Sequence, residues 1–214
     1  MAKRKLQKFQ QLKTFPNVYQ EDKEKESRDQ LEMILKSKKK VILELGCGKG
    51  TYTLELARAN PNSLFIGIDL KGARLWKAAK TALEEKINNA FFIRTDVRNI
   101  LDFFLPQSIN EIWLTFPGPF PKKRHTKRRM THPDFLKIYK KILKPGGFVH
   151  LKTDSDSMFT FTLESLQEAK MKVITKIVDI YAEKNLDPVL SIQTTFEKKH
   201  LDDGKIIKYL KFGF

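Results

Sequence analysis

Cysteine is nearly absent from this chain, which has one thiol, Cys47, among 214 residues. A single thiol cannot form an internal disulfide, and without an accompanying histidine pattern it predicts neither a catalytic nucleophile nor a metal ligand. The sequence also lacks an apolar run long enough for a bilayer, a signal-type apolar core, a lipid-anchor motif and an internal repeat. We therefore expect a cytoplasmic protein with no membrane partner and no metal.

The charge of the chain is strongly unbalanced. The formal net charge is +16 and the pI is near 9.8. Such a surplus favours a polyanionic partner and disfavours a small-molecule or protein substrate.

The first 29 residues are basic and polar without clear periodicity. They predict a mobile N-terminal arm over 1–29, followed by a single domain over 30–214. Phe9, Phe15 and Tyr19 are the large anchors of this arm, and either stacking on nucleic acid or packing against the domain would suit them. The sequence leaves the oligomeric state open between a monomer and a homodimer.

A glycine-rich loop follows the first apolar strand, which begins at Val41. Gly46, Gly48 and Gly50 remove every second Cβ from a turn, so that a ligand can approach the backbone closely. A dinucleotide-binding loop would have its third glycine one residue later, where this chain has Thr51. An ordinary turn between a strand and a helix would explain the glycines equally well.

The residue before this loop favours a particular ligand. Glu44 would repel a phosphate, but its carboxylate would form a charge-assisted hydrogen bond with the ammonium of a methionine-like group. The combination of Glu44 with the glycine loop therefore predicts binding of S-adenosylmethionine.

Two more carboxylates follow the next two predicted strands. Asp69 ends the apolar run 64–68, and Asp96 comes just after the run 90–94. Ligands of open α/β sheets bind outside the carboxyl ends of the strands, so Glu44, Asp69 and Asp96 are expected to converge on one cofactor crevice.

The alternation of strands and helices predicts an α/β fold with a doubly wound, mostly parallel, seven-stranded sheet and one antiparallel edge strand, as in Rossmann-like class I methyltransferases. Residues 144–147 are expected to form a turn. The apolar runs 171–181 and 206–212 have no long helix between them, which predicts an antiparallel pair at the sheet edge.

A segment rich in proline and then in cations begins at the end of the fourth core strand and runs from Phe116 to Arg129. Arginine pairs well with phosphate oxygens, so a dense cationic run after a core strand is expected to hold an RNA or DNA backbone. A solvated basic loop or a localisation signal would have the same composition, but a signal belongs more naturally at a terminus.

Together these motifs resemble the bacterial tRNA (guanine-N7-)-methyltransferase family over nearly the whole chain after the arm. The glycine loop is general among methyltransferases, whereas the proline-basic segment and a late Thr-x-x-Glu motif are typical of this family. The matching segments are 44–50, 67–69 with 71–74, Asp96, 119–129, 153–154 and 194–197.

The resemblance implies a role for each matching position. It implies that Glu44, Asp69 and Asp96 bind S-adenosylmethionine and that the basic segment contacts RNA through Arg124, His125, Lys127, Arg128 and Arg129. It further implies that the target nucleoside is lined by Lys122, Asp154, Thr194 and Glu197. The roles of Thr194 and Glu197 depend on the resemblance alone.

One position departs from the family pattern. After the fourth strand the family has Asp-Pro-Trp or a close variant, whereas this chain has Gly118, Pro119 and Phe120. N7 of guanine carries a lone pair and no proton, so methyl transfer needs positioning and not a base. An acid would still stabilise the positive charge that develops on guanine. Asp154, at the end of the next strand, is the nearest candidate catalytic residue.

The sequence thus predicts an enzyme that transfers a methyl group from S-adenosylmethionine to N7 of a guanosine in tRNA, by resemblance position 46 of the variable loop. Methylation of an exocyclic amine is disfavoured, because Gly118 offers no side-chain acceptor for the hydrogens of the amine. The competing hypothesis is a catalytically weakened or inactive tRNA-binding protein on the same fold.

Overall fold

The structure is a computed structural model that describes residues 2–20, 31–35 and 40–214. The chain forms two compact units, Met1–Phe104 and Leu105–Phe214. The predicted boundary between an arm and a domain, at residues 29 and 30, lies outside the described residues and remains a prediction.

The first unit alternates strands with helices. Its elements are α1 (Ala2–Thr14), β1 (Val18–Gln20), β2 (Lys40–Leu45), α2 (Thr51–Ala59), β3 (Ser63–Ile68), α3 (Gly72–Glu84), β4 (Ala90–Arg94) and a 3₁₀ helix (Val97–Asp102). The strands lie in the order β1, β4, β3, β2, and every pair is parallel. Because parallel strands are buried on both faces, they are nearly continuous apolar runs, and this makes β2, β3 and β4 readable from the sequence.

Helix α3 illustrates how the helices cover these strands. Leu75, Ala78, Ala79 and Ala82 are buried, and their spacing places them on one face of the helix. The face is lined mainly by alanine, which lets the helix approach the strands closely.

Part of the predicted N-terminal arm has regular secondary structure. Residues 2–20 form α1 and β1, and β1 pairs in parallel with β4. Leu12, Val18 and Tyr19 are buried, and Trp76 of α3 donates a 2.8 Å hydrogen bond to Gln11. Tyr19 therefore packs against the first unit. Strand β1 was not predicted, because a strand of three residues is too short to show a periodicity in the sequence. Residues 21–29 lie outside the described residues.

The second unit contains β5 (Ile109–Thr115), a 3₁₀ helix (Lys123–Arg128), α4 (Pro133–Ile142), β6 (Leu143–Thr153), α5 (Asp156–Glu168), β7 (Lys172–Ile177), a 3₁₀ helix (Ile180–Ala182), α6 (Thr195–Asp202) and β8 (Lys208–Gly213). Its strands lie in the order β5, β6, β8, β7. β5 and β6 are parallel, and β8 is antiparallel to both neighbours.

The α/β class and the mostly parallel strands are confirmed, and two details are corrected. The described residues contain eight strands where seven are predicted, because β1 is added, and the reversed strand β8 lies inside an edge formed by β7. The predicted turn at 144–147 falls within β6, where the pairing with β5 shifts between Ile109 and Glu111. Gly146, with φ of +76°, allows this irregularity.

Candidate cofactor site and RNA-binding site

The glycine loop of the first unit has a left-handed backbone at each of its three glycines. The φ angles are +75° at Gly46, +58° at Gly48 and +68° at Gly50. Residues with a Cβ rarely adopt this conformation, so the three glycines are required by the path of the backbone. Gly46 and Cys47 both donate to the carbonyl of Ile68, at 2.7 and 3.0 Å, which ties the loop to the end of β3.

The space beside two of these glycines differs sharply. A Cβ at Gly50 would lie 2.6 Å from the Cβ of Ala78, so this glycine allows α3 to pack closely on the loop. A Cβ at Gly48 would meet nothing within 4 Å. Gly48 therefore exposes bare backbone to open space, as a loop that binds a ligand through its main chain must do.

Asp69 fixes the shape of this loop. One carboxylate oxygen accepts a 2.9 Å hydrogen bond from the backbone N–H of Gly48. The other accepts a 2.7 Å bond from the N–H of Lys71. The predicted cofactor residue is thus also a structural clamp between the end of β3 and the glycine loop. Each oxygen keeps a further lone pair for a ligand hydroxyl.

Glu44 caps a helix from a distance of several residues. Helix α2 begins after Gly50, which has no side chain to cap it, and the buried Glu44 carboxylate accepts a 2.8 Å bond from the backbone N–H of Thr53. The same oxygen accepts a hydrogen bond from the Thr53 hydroxyl. A negative charge at this end of α2 is favourable, because the first N–H groups of a helix have no partner within it. Glu44 makes at least one further contact in addition to its two hydrogen bonds with Thr53.

The surroundings of Cys47 show that two of the predicted carboxylates, Glu44 and Asp69, lie near the same side chain. The thiol is buried, and its pKa is raised well above the ordinary value, first by burial and then by the negative charges of Glu44 and Asp69. The thiol is therefore protonated at neutral pH. Its position between two acids makes it a small neutral filler and not a nucleophile.

Asp96 has a separate set of partners. Its carboxylate accepts bonds from the backbone N–H of Arg98 at 2.9 Å and from the guanidinium at 2.9 and 2.6 Å. These bonds lower its pKa, chiefly through the side chain of Arg98. It also caps the 3₁₀ helix that begins at Val97. The structure thus joins Glu44 and Asp69 around one loop and pairs Asp96 with Arg98, and the cofactor role of all three remains a prediction.

In the second unit, the predicted RNA-binding side chains differ in what they contact. Arg124 and Lys127 are exposed on the 3₁₀ helix Lys123–Arg128, and Lys122, which is predicted to line the target nucleoside, is exposed next to it. Arg129 instead donates to the carbonyls of Pro119 and Phe120, at 3.0 and 3.2 Å, and its guanidinium lies over Phe161. Arg129 therefore holds the loop in place, which the density of cations alone could not show.

The other two members of the predicted RNA-binding set contact the same aromatic ring. The guanidinium carbon of Arg128 lies 4.5 Å from the centre of the Phe120 ring. His125 meets the edge of that ring with a centroid distance of 6.5 Å. Phe120 is thus the centre around which the basic segment is arranged.

The segment between β5 and the basic helix is strained at two phenylalanines. Phe116 has φ of +48° and Phe120 has φ of +40°, a conformation that is unusual for a bulky side chain. Gly118 lies between them and is not in the left-handed region. The three atoms nearest to a Cβ at Gly118 all belong to the Phe120 ring, the first at 2.9 Å. A side chain at this position therefore requires that ring to shift.

Asp154 directly follows β6 and lies beside a histidine of α6, in a close contact that lacks the geometry of a hydrogen bond. One Asp154 oxygen, Oδ2, lies 2.9 Å from Nδ1 of His200. The other oxygen, Oδ1, accepts no hydrogen bond from the residues that the structure describes. Asp154 is partly exposed and has a carboxylate oxygen available to a ligand.

Thr194 and Glu197 take structural roles in the structure. The Thr194 hydroxyl caps α6 by accepting a 3.1 Å bond from the backbone N–H of Glu197. The side chain of Glu197 is fully buried and ion-paired with Lys152, at 2.7 Å. Tyr181 also donates a 2.7 Å hydrogen bond to it. Lys152 and Tyr181 were missed by sequence reasoning, because contacts across 45 and 16 residues leave no local pattern.

A metal site and a membrane-spanning helix are both absent from the described part of the chain. Residues 2–20, 31–35 and 40–214 contain no group of three or more histidine, cysteine or acidic side chains placed to hold a metal ion. A helix of sufficient length and apolarity to cross a membrane is likewise not found among them.

Comparison with known proteins identifies the family. Residues 38–210 match the family model described as "Putative methyltransferase". The tRNA (guanine-N(7)-)-methyltransferase of Christiangramia forsetii is 44% identical over 99% of this chain and 98% of its own length. The protein of the same name from Cytophaga hutchinsonii is 39% identical over 100% of this chain and 99% of its own.

Solved structures agree on the fold. A 30S ribosomal A1408 methyltransferase from an uncultured bacterium has a TM-score of 0.64 and 22% identity, over 91% of this chain and 97% of its own. The 16S rRNA methyltransferase KamB has a TM-score of 0.65 and 16% identity, over 89% and 94%. The Rossmann-like class I methyltransferase fold is thereby confirmed. The chain belongs to the tRNA (guanine-N(7)-)-methyltransferase family, whose methyl donor is S-adenosylmethionine.

Proposed function

We propose that this protein methylates N7 of a guanosine in tRNA. The observation that supports this most strongly is 44% identity, over 99% of the chain, to a protein named for that activity. The net charge of +16 agrees with a polyanionic substrate. The finer proposal, by family resemblance, is guanosine 46 in the variable loop.

The residues of the first unit fit the methyl donor. The bare backbone of Gly48 faces open space, and Glu44 and Asp69 place two negative charges beside the same loop. We assign Glu44, Gly46, Gly48, Gly50 and Asp69 to hold S-adenosylmethionine, which supplies an electrophilic methyl group when bound. Asp96 is the weaker member of the set, because Arg98 already occupies both of its oxygens.

The second unit supplies the groups for RNA. Arg124 and Lys127 are exposed cations suited to phosphate oxygens. Lys122 is exposed at the start of the same helix and is assigned to the target-nucleoside side. Arg129 contributes by keeping the strained segment that begins at Phe116 in one conformation.

The chemistry requires orientation and charge stabilisation. N7 of guanine attacks through its lone pair without losing a proton, so no general base is needed. Positive charge develops on guanine as the bond forms. The available oxygen of Asp154 is the group of the second unit best suited to stabilise that charge, where the family's usual acid is replaced by Gly118.

The same replacement supports a second candidate function. A chain without the usual acid could bind tRNA and S-adenosylmethionine and transfer methyl groups slowly or not at all. Asp154 bears on this choice, because its carboxylate would stabilise the charge on guanine in place of the usual acid.

One experiment tests both functions. The purified protein is incubated with bulk tRNA and methyl-labelled S-adenosylmethionine, and the tRNA is digested for nucleoside analysis. The enzyme yields labelled N7-methylguanosine, and mapping of the product then places it in the variable loop. Binding of both ligands without labelled N7-methylguanosine would leave the binding protein as the function. Label in a different nucleoside would overturn both.

A further inference from the structure

Three aromatic rings gather in the second unit, and one of them, His200, lies next to Asp154. Phe196 and His200 are four residues apart on α6 and therefore lie on one face of the helix. Their rings stack with a centroid distance of 4.0 Å and an interplanar angle of 26°. Phe116, at the end of β5, approaches Phe196 with a centroid distance of 5.4 Å.

Nearly half of the surface of Phe196 is open to solvent. The residue remains 48% exposed although one face of its ring is covered by His200. The exposed part of the ring adds nothing to the stability of the fold, and it can take an aromatic partner from outside. This combination is typical of a surface that stacks a planar ligand.

His200 connects this ring to the acid. The Nδ1 atom lies 2.9 Å from Asp154 while the same ring stacks on Phe196. His200 is therefore in contact with both the Phe196 ring and the carboxylate. Thr194 caps α6 and Glu197 anchors it, so the first turn of the helix that presents Phe196 and His200 is held in place.

We propose that Phe196 is the stacking surface for the target guanine and that His200 is the positioning residue that aligns this surface with Asp154. This rests on the proposed function and adds the residues that seat its substrate base. RNA proteins that act on an unstacked base commonly stack it on an aromatic side chain and read its edge by hydrogen bonds. The Watson–Crick edge of guanine has N–H donors, which an Asp154 oxygen can accept.

The stack also suits the reaction. A guanine that gains a methyl group at N7 becomes positively charged, and the face of an aromatic ring attracts a cation. Phe196 would thus interact more strongly with the reacting base than with the neutral one. This difference is what accelerates a chemical step.

The test compares Phe196→Leu with Phe196→Tyr in single-turnover methyl transfer to tRNA. Leucine keeps the apolar character but lacks the ring, and should lower the rate by about tenfold or more, the usual scale of one base stack. Tyrosine should retain most of the rate. Retention of tRNA on a filter should change little in either variant, because phosphate contacts dominate it. Phe214→Leu is the matched control, since Phe214 is 46% exposed and lies outside the cluster.

His200 is tested by a double-mutant cycle. If His200 acts through Phe196, then His200→Ala should slow methyl transfer, and the double variant with Phe196→Leu should be about as slow as the slower single variant. Independent, multiplicative effects would overturn the positioning role.

The failure of this inference is distinguishable from failure of the proposed function. If the wild-type protein forms N7-methylguanosine and Phe196→Leu matches it, the stacking surface is wrong and the function stands. If Phe196→Leu lowers thermal stability and the rate in parallel, and Phe196→Tyr does not restore the rate, Phe196 is structural and the inference is likewise overturned. If the wild-type protein forms no N7-methylguanosine, the proposed function itself fails.

Discussion

Lys152 and Glu197 form an ion pair in which both side chains are completely buried, with Nζ 2.7 Å from a carboxylate oxygen. The ammonium also donates to the carbonyls of Leu190 and Ile192, at 2.7 and 2.9 Å. Burial lowers the pKa of Lys152, and Glu197 opposes that shift. The pair joins the end of β6 to α6 and to the segment before it, so it organises the region that presents Phe196.

We therefore predict that Glu197→Ala destabilises the fold. Removing one partner of a buried pair leaves the other charge uncompensated, which costs about 3–5 kcal/mol of the free energy of unfolding. Chemical denaturation measures this loss. The double variant Lys152→Met with Glu197→Leu should be destabilised by less than Glu197→Ala, because no charge is left buried. A Glu197→Ala variant with unchanged stability but weakened tRNA methylation would instead support the role in substrate binding that the family resemblance implies.

A second prediction concerns the bare backbone of the glycine loop. Gly48→Ala places its Cβ in open space, so the variant should fold with a loss of about 1–2 kcal/mol from the left-handed backbone alone. Its affinity for S-adenosylmethionine, measured by calorimetry, should fall by tenfold or more, because the side chain of the new alanine occupies the space in which the ligand would approach the backbone.

Two glycines serve as controls for that experiment. Gly146→Ala has a similar positive φ and open surroundings in the second unit, and should lose stability without losing cofactor affinity. Gly50→Ala brings its Cβ within 2.6 Å of Ala78 and should lose more stability than either. Unchanged affinity in Gly48→Ala would contradict the assignment of this loop to the cofactor.

The proposed role of Asp154 gives a third prediction. Asp154→Asn keeps the shape of the side chain and loses its charge, so it should lower single-turnover methyl transfer by more than tenfold, equivalent to about 1.4 kcal/mol or more of barrier. Cofactor affinity should be little changed. Asp156→Asn is the matched control, because Asp156 is two residues away and pairs with Lys208 at the surface. The Asp154 assignment fails if both variants behave like the wild type.

Gly118→Asp is the converse experiment. Gly118 has no positive φ, so its backbone accepts a side chain, and the atoms nearest to an added Cβ belong to the Phe120 ring, which would have to shift. The variant should fold and maintain or raise the rate, and it should partly rescue Asp154→Asn. A rate that falls in a stable variant would show that the segment does not present position 118 to the substrate.

The basic segment gives a fourth prediction. Arg124→Ala and Lys127→Ala each remove an exposed cation, so each should lower the slope of log affinity for tRNA against log salt by about 0.9. Different tRNAs should be affected alike. Lys172→Ala, an exposed cation of β7, should leave the slope unchanged. Changes in tRNA preference without a change in slope would indicate base contacts instead. Arg129→Ala should additionally lower stability, because its hydrogen bonds to Pro119 and Phe120 are lost.

The thiol of Cys47 allows a fifth prediction about pH. Since burial and two nearby carboxylates raise its pKa, the folded protein should react slowly with iodoacetamide even at pH 9, while the unfolded chain reacts fast. The neutral thiol contributes stability that is present below the ordinary pKa of 9.0 and is lost as the pH rises through the folded pKa. Glu44→Gln removes one of the negative charges and should speed the reaction. A folded wild-type protein alkylated as fast as the unfolded chain would refute the burial of this thiol between acids.

The fold was predictable from the sequence wherever burial is two-sided. The apolar runs of β2, β3 and β4 and the spacing in α3 carry their own structural signal. The short strand β1 carries none, because its pairing with β4 depends on residues more than seventy positions away. The irregular start of β6 is predicted as a turn from the sequence. Proline and glycine occur both in turns and in irregular strands, so their presence at 144–147 does not distinguish the two.

The candidate site divides in a similar way. The glycines and acids at strand ends were identifiable, since the chemistry of a ligand site demands those residue types. The roles of Glu44 as a helix cap and of Glu197 as a buried anchor could not be predicted, because each role depends on a partner residue that only the folded chain brings close. His200 was missed for the same reason. Nothing in the sequence places it beside Asp154, 46 residues earlier.

The packing of α1 on α3 bears on how this protein should be produced and handled. Phe9 lies against Gly72 so closely that a Cβ there would be 2.7 Å from its ring, and Lys8 covers the indole of Trp76. Trimming the first fourteen residues as a dispensable extension would uncover this indole and the surface around it. Preparations shortened in that way should be prone to self-association.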